Sequence, residues 1–432
     1  MRETFTQSLW SALSPPAPEF ATLAGDVSAD VAVIGGGLLG LSTALHLAEQ
    51  GCRTVLIEAA ETGFGASGRN TGFVVPSLRT GLGPSDVRAL VGETGDRLMA
   101  LVGASGNLVF DLIARLGIDC SAEQTGWMQP AHTAAMLDVL RQRQLDWHAL
   151  GRTVEILDAA ETAARIGAAG YHGALFDPTG GQINPLAYVR GLARAAQAAG
   201  AALYVRSPVV GIGTQHGRPV ARTAHGQVTA DRILLATNAL VDGLSPSVAR
   251  SIIPVRVFQI ATEPLPAELR RTILPQRTPV ADTRHHTFAV RWSPDGRLIT
   301  GGLVLPGPGR FERATTIFRR RLARMFPAIG APAADYVWTG VIAATTDAMP
   351  RFMSVAPGVD AAIGCNGRGV ALTTALGREI AALYAGRLEP AAFPLPHGAP
   401  IGIPAHGIAQ LGPMLWLPWS NLRDRIDSGR VL

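Results

Sequence analysis

Gly35, Gly37 and Gly40, in the stretch DVAVIGGGLLGLSTALHL, have the spacing of a loop that approaches a pyrophosphate closely. The first glycine permits a tight turn, the second lets backbone come near phosphate, and the third lets a helix pack hard against a strand. Glu58 and Ala59 end a second apolar run, RTVLIEAA. The Glu58 carboxylate lies about twenty residues past Gly35, where an acidic side chain bonds ribose hydroxyls. The flanking elements must position these groups. Val31 to Ile34 suit a buried parallel strand, and Leu41, Ala44, Leu45 and Ala48 recur at helical spacing. The loop therefore joins strand to helix, with Leu38 and Leu39 in the first turn. The free N–H groups and positive dipole end of that turn face an anion. This combination binds a dinucleotide.

Composition narrows the class. The 432 residues are 47% hydrophobic and 16% charged, which describes a compact enzyme of two or three domains. All 38 basic residues are arginine. A Walker A phosphate loop, a pyridoxal phosphate Schiff base and a lysine general base are thereby excluded. The run Arg319 to Arg321 falls in the helical stretch RATTIFRRRLARMF and reads as a solvated face, not a nucleic-acid site. Cys52, Cys120 and Cys365 are far apart with no C-x-x-C, so reduced thiols are expected and no metal. No signal peptide is expected at the N-terminus, nor any membrane-spanning run. Ile408 to Trp419, IAQLGPMLWLPW, is apolar but proline-broken and is expected to dock on the protein or a partner.

Along the chain, residues 1–29 read as a proline-bearing lead-in and residues 85–150 as helical. NPLAYVRGLARAAQAAGAALYV reads as helix then strand, and VTADRILLATNAL as a strand. HHTFAVRWSPDGRLITGG is a hairpin turning at S-P-D-G. VDAAIGCNGRGVALTTALGREIAALYAGR reads as strand, glycine loop and long helix.

In this order, GFGASGRNTGFVVP, SPVVGI, ILLATNAL, PDGRLITGG, WTGVIAATTDAMP and GCNGRGVALTTALG, with the first loop, resemble the FAD-dependent oxidoreductases of the D-amino-acid oxidase and sarcosine oxidase type. The γ-glutamylputrescine oxidase branch is the nearest. The resemblance implies an α/β plus α+β fold, with a discontinuous, glutathione-reductase-like FAD-binding βαβ domain and a mixed β-sheet substrate domain. The FAD domain would take residues 1–85, 180–250 and 339–432, and the substrate domain 86–179 and 251–338. Gly65, Ala66, Ser67, Arg69, Asn70 and Thr71 would pass beneath the pyrophosphate and flavin edge. Val209 would contact adenine, and Thr237 and Asn238 would close over the ribose side. Gly367, Arg368, Gly369 and Val370 would open a helix toward the flavin pyrimidine, where a dipole and the Arg368 cation stabilise developing negative charge.

The family's departures are equally specific. Gly301, Gly302 and Leu303 follow the hairpin where some relatives carry a flavin-linking cysteine, and the early loop has no histidine. Noncovalent FAD is the expectation. The carboxylate clamp of sarcosine-oxidising relatives falls at Val75 and Ala371, which cannot hold an anion. A polyamine-type or γ-glutamylated amine is therefore the expected substrate, oxidised at its C–N bond, with O2 or another acceptor. An amino-acid dehydrogenase using Arg256, Arg284 or Arg291 is the alternative, and an inactive flavin-binding subunit of a larger complex is another. In the hairpin, alternation sets His286, Phe288, Val290 and Trp292 on one face and His285, Thr287, Ala289 and Arg291 on the other. One face should line the cavity, with His286 near pH 7 taking the ammonium proton. A cytoplasmic location, possible also at a membrane surface, completes the expectation.

Overall fold

A computed structural model describes residues 8–79, 81–241 and 243–428. Strand β1 (Gly25–Ile34) pairs in parallel with β2 (Thr54–Ile57) and, on its other side, with β3 (Gly226–Leu235). Beyond β3 lies β4 (Val359–Ile363), again parallel. These apolar strands are buried on both faces, as a parallel sheet requires. Among the described residues this sheet has nine strands, with Ala202–Tyr204 at one edge and Arg351–Ala356 and His397–Gly398 at the other. Ile34 pairs with both Leu235 and Ile57, so the carboxyl ends of three strands align. Open α/β sheets take their ligands at such an edge.

Helix α1 (Leu38–Glu49) follows β1, and helix α2 (Gly369–Tyr384) follows β4. The two pack closely because Gly377 lacks a Cβ, which would meet the Ser42 Cβ at 2.6 Å. The Ser42 hydroxyl donates to the Thr374 carbonyl at 2.7 Å. Helix Glu93–Leu116 lies against α2. It is long and apolar enough to cross a membrane by length and composition, which a search for unbroken apolar runs misses. Half of its most apolar window is buried in the protein, where Leu98, Met99, Val102 and Leu112 join the core.

The second sheet, eight-stranded among the described residues, runs Ala334–Ala344, Ile253–Thr262, Leu298–Gly302, Ala289–Trp292, Val280–Ala281, Trp127–Pro130, Ala174–Asp177, Glu155–Leu157. Its first two strands alternate. Phe258 and Ile260 enter a core beneath the sheet, while Ile253, Val255, Val257 and Gln259 face a cavity together with Gly340, Ile342 and Ala344. The hairpin forms as read, with the Ser293 N–H donating to the Arg297 carbonyl at 2.8 Å.

Two expectations need correction here. The hairpin strand begins at Ala289, because Asp282 accepts the N–H groups of Arg284 and Phe288 and bends residues 284–286 into a turn. Strand alternation therefore does not extend to His285 and His286. The Arg319–Arg321 run is not one solvated face either. Arg321 is buried, donates to the His286 carbonyl at 2.7 Å and lies over the Phe288 ring.

Candidate active site

The β1–α1 turn is built as its glycines predict. A Cβ on Gly35 would lie 2.8 Å from the Ala236 carbonyl oxygen, and one on Gly40 only 2.0 Å from the Gly35 oxygen. Gly37 caps α1 without a side chain, and Ser67 Oγ accepts the Leu38 N–H at 3.0 Å. First-turn N–H groups such as those of Leu39 and Gly40 have no acceptor within a helix. Glu58 accepts the N–H of Gly36 at 2.6 Å and of Ala60 at 2.9 Å. Burial raises its carboxyl above the ordinary value, while these N–H groups oppose the rise. Each carboxylate oxygen keeps a lone pair for a hydroxyl. Glu58→Ala should weaken FAD binding by about 1.5–3 kcal/mol, the scale of a hydrogen bond to a charged group. Equilibrium dialysis of FAD measures it, and unchanged affinity would remove Glu58 from the site.

Residues 65–72 form a fixed loop. Asn70 bonds the carbonyls of Ala66 and Ser67 and accepts the Gly72 N–H. Trp10 donates to the Asn70 carbonyl at 2.7 Å, and Trp338 donates to the Arg69 carbonyl at 2.8 Å. Arg69 itself turns back to the Phe64 carbonyl. Gly65 is less constrained, since an added Cβ would meet only Leu240 at ordinary distance.

One cavity of about 1220 Å³ joins these parts. It exceeds the range of about 300–1,000 Å³ usual for small-molecule sites. Gly37, Leu38 and Leu39, Ala66 to Thr71 except Gly68, Asn238, and Gly367 to Val370 all border it. Asn238, at φ 49°, accepts the Gly364 N–H and ties the end of β3 to the loop before α2. Thr237 Oγ1 and Gln259 Oε1 are buried without a protein partner among the described residues. Gly35, Gly40, Glu58, Ala59, Gly65, Val209 and Thr237 stand outside the cavity wall. The first two act through packing, and Glu58 and Val209 flank the edge where Ser207 N–H meets the Glu58 carbonyl. Two helix N-termini, glycine cradles that a Cβ would fill and orphaned polar atoms together fit a flavin dinucleotide.

The substrate expectations divide. Val75 borders the cavity, whereas Ala371 is buried in the core behind it and Leu372 and Thr373 face the space instead. Arg291 is a correction. Its Nη1 donates to the carbonyls of Thr71, Gly72 and Ile183, and its Nε to that of Trp292. It is fully enclosed and does not border the cavity, so it rivets the flavin loop and binds no substrate. Arg284 borders the cavity but is paired with the buried Asp282. Arg256 is exposed outside the cavity wall and bonds Thr339.

His285 and His286 both line the cavity, and neither face of a strand decides it. Helix α3 (Gly412–Ser428) holds them. Asp424 accepts both backbone N–H groups, Asn421 Oδ1 bonds His286 Nδ1 at 3.1 Å, and Trp419 meets the His285 ring edge at 5.1 Å. The apolar C-terminal segment thus forms a cavity wall, through Pro413 and Trp416. Burial, reinforced by Arg321, pushes His286 down to about 4. It is neutral at pH 7 and too weak a base to hold the ammonium proton, which corrects the catalytic expectation.

That shift has a consequence for stability. Between about pH 6.5 and 4 the unfolded chain protonates this histidine and the folded chain does not. Stability must fall as pH falls through that window, by up to about 3 kcal/mol. Burial pushes His46 and His132 the same way. Denaturant unfolding at a series of pH values should show this loss, and His286→Gln should remove its share.

Sequence reasoning missed Arg79, Trp127, His132 and Arg143. Arg79 and His132 border the cavity, and His132 Nε2 has no partner among the described residues. Arg368, the residue before α2, lays its guanidinium over the Trp127 ring at 5.0 Å. No pattern in the sequence joins positions so far apart.

Residues 30–383 match the family model described as FAD dependent oxidoreductase. The γ-glutamylputrescine oxidoreductase of Escherichia coli (strain K12) is 34% identical over 433 residues, spanning 98% of this chain and 99% of that protein. Glycine oxidase of Geobacillus kaustophilus is 27% identical, over 74% of this chain and 83% of that one. The glycine oxidase structure from that organism aligns with TM-score 0.68 at 23% identity, covering 86% of this chain and 99% of that one. L-proline dehydrogenase from P. horikoshii aligns at 0.71 with 19% identity, covering 84% and 95%. These two structures share the fold.

Proposed function

This chain belongs to the DAO family of FAD-dependent oxidoreductases, and from that premise we propose that it oxidises the C–N bond of an amine of polyamine or γ-glutamylated type. FAD is its cofactor, and the enzyme acts on amines or amino acids. Bound there, FAD would supply the capacity to take a hydride from the carbon beside nitrogen, leaving an imine whose hydrolysis would give a carbonyl compound and an amine or ammonia. The observation that carries this reading is the shared cavity. The Gly37–Leu39 turn, the α2 N-terminus and the apolar face of the second sheet all border one space.

Each part has a task. Gly37, Leu38 and Leu39 present backbone to the pyrophosphate, and residues 66–71 hold the cofactor's flank. The N–H groups of Gly369 and Val370 face negative charge that develops during reduction, while the Arg368 cation adds field from beside Trp127. Ile253, Val255, Val257 and Ile342 exclude water and accept methylene groups. The amine must enter uncharged, because only its lone pair can expel the hydride. The guanidinium groups bordering the cavity disfavour an ammonium ion and so favour the neutral form. No side chain in reach needs to hold that proton.

FAD is held without a covalent bond, since the hairpin offers Gly301, Gly302 and Leu303 and residues 61–76 contain neither cysteine nor histidine. We place the enzyme in the cytoplasm, with O2 or another acceptor reoxidising it. Acid precipitation should release all the yellow colour as FAD, and an amine with an artificial acceptor should yield aldehyde. Colour in the pellet, or no carbonyl product, would reject these assignments.

A further inference from the structure

Helix α3 is apolar on two opposite sides. Leu417, Ser420 and Asp424 recur at helical spacing and are buried against the protein. Leu415, Trp419, Leu422 and Ile426 recur at the same spacing half a turn away, with Leu411 just ahead of them. Leu415 is 74% exposed, Leu422 55% and Ile426 62%. A helix that docks on its own protein by one side normally turns polar groups outward on the other. The outer side of α3 is instead a line of leucine, tryptophan and isoleucine. More than half of the large apolar side chains exposed among the described residues lie between Ile401 and Ile426. Single exposed apolar residues are ordinary, but a contiguous stripe marks a contact surface.

The charges beside the stripe decide its partner. By helical spacing Arg423 and Arg425 flank it on its two sides, and Arg423 is paired with Asp427 at 3.4 Å. Arg425 also borders a shallow groove with Leu422, Leu305, Ile317 and Arg313. That groove carries the apolar surface onto helix Arg310–Met325, which has six arginines against the single Glu312. Only Arg321 of the six is buried. Arg313 and Arg320 lie one turn either side of Ile317. Arginine stems cover apolar surface while their heads reach out to an anionic layer. A second copy of this chain would set arginines against arginines, whereas lipid phosphates neutralise them. We propose that α3 and the adjoining face of helix Arg310–Met325 dock the protein on the surface of an anionic phospholipid bilayer. The helix lies in the interface and does not cross it. Its last turns carry Arg423, Asp424, Arg425 and Asp427, and its length of about 25 Å falls short of the hydrocarbon core. Leucine, isoleucine and tryptophan enter the acyl boundary and the flanking arginines meet the headgroups. Pro413 and Trp416 of the same helix wall the cavity, so docking holds that wall beside the lipid.

The test is flotation of the FAD-loaded, full-length protein with vesicles of phosphatidylcholine alone and of an equal mixture with phosphatidylglycerol. At low salt the wild type should partition onto the mixed vesicles at least about tenfold more strongly, the scale set by several arginines near an anionic surface. High salt should erase most of that difference. Leu415→Ser combined with Leu422→Ser should weaken binding to the mixed vesicles by at least about tenfold, because both side chains leave the apolar phase. Neither residue borders the cavity, so this variant should keep its flavin and its turnover in solution. Arg313→Glu combined with Arg425→Glu should remove the preference for the anionic vesicles. Sedimentation velocity without lipid separates the alternative occupant, and a monomer is expected. A dimer that the leucine variant splits, with no flotation of the wild type, would overturn the proposal in favour of contact between copies. Equal binding to the two vesicle types at low salt, or flotation unaltered in the leucine variant, would overturn it too.

Discussion

Arg291→Leu should lower stability by about 3–5 kcal/mol and strip FAD from the purified protein. The guanidinium gathers the carbonyls of Thr71, Gly72, Ile183 and Trp292 within hydrogen-bond distance, and the Gly72 carbonyl also accepts the Ile183 N–H at 2.8 Å. Leucine fills the volume but takes this donor from the other three, and a buried acceptor left unsatisfied costs about 1–3 kcal/mol. Thr71 borders the cavity, so its release would also disorder the cofactor's flank. Arg291→Lys should rescue little, because one ammonium cannot reach the same set of oxygens. Denaturant midpoints and flavin retained after desalting give the two readouts. A variant within about 1 kcal/mol of wild type, still yellow, would show that the rivet is dispensable.

Gly40→Val should abolish FAD binding at concentrations that saturate the wild type. An added Cβ would sit 2.0 Å from the Gly35 carbonyl oxygen and 3.2 Å from Val33, both in the strand and turn that α1 packs upon. The obstacle is backbone, so α1 must shift, and with it the first-turn N–H groups that face phosphate. Overpacking of this kind costs about 1–3 kcal/mol at side-chain contacts and more against main chain. Gly65→Ala is the control, since its Cβ would meet Leu240 at 3.5 Å and φ there is ordinary. It should remain yellow. Loss of FAD from both variants would mean that the loop tolerates no change and that the helix–strand argument is not needed.

The dinucleotide loop was legible because its signal is local. Glycine spacing, an apolar strand and a helical period sit within one continuous segment, and the structure places them as the spacing requires. The third glycine loop and α2 were legible for the same reason. The hairpin was half legible. Its turn follows from S-P-D-G, but its start depends on Asp282 capturing two backbone N–H groups, which strand periodicity does not register. His286 misled because a histidine's proton affinity is set by its surroundings. Arg321 and the burial provided by α3 come from far along the chain. Arg291 was misassigned, and Arg79 was passed over. In sequence both are isolated arginines, and only the fold shows that one is consumed by carbonyls while the other borders the cavity.

Anaerobic flavin reduction, followed by stopped flow across a matched amine series, tests the central claim most directly. The series would contain a γ-glutamylated diamine, the free diamine, sarcosine, glycine and D-alanine. The account predicts full bleaching by the γ-glutamylated diamine, with kcat/KM above the free diamine by at least about tenfold and above the three small amino acids by more. The reduction rate at subsaturating amine should rise with pH as the amine loses its proton, without an inflection near pH 6.5, because burial pushes His286 down to about 4. A small α-amino acid reducing the flavin best would contradict the account, as would a flavin that none of these amines bleaches.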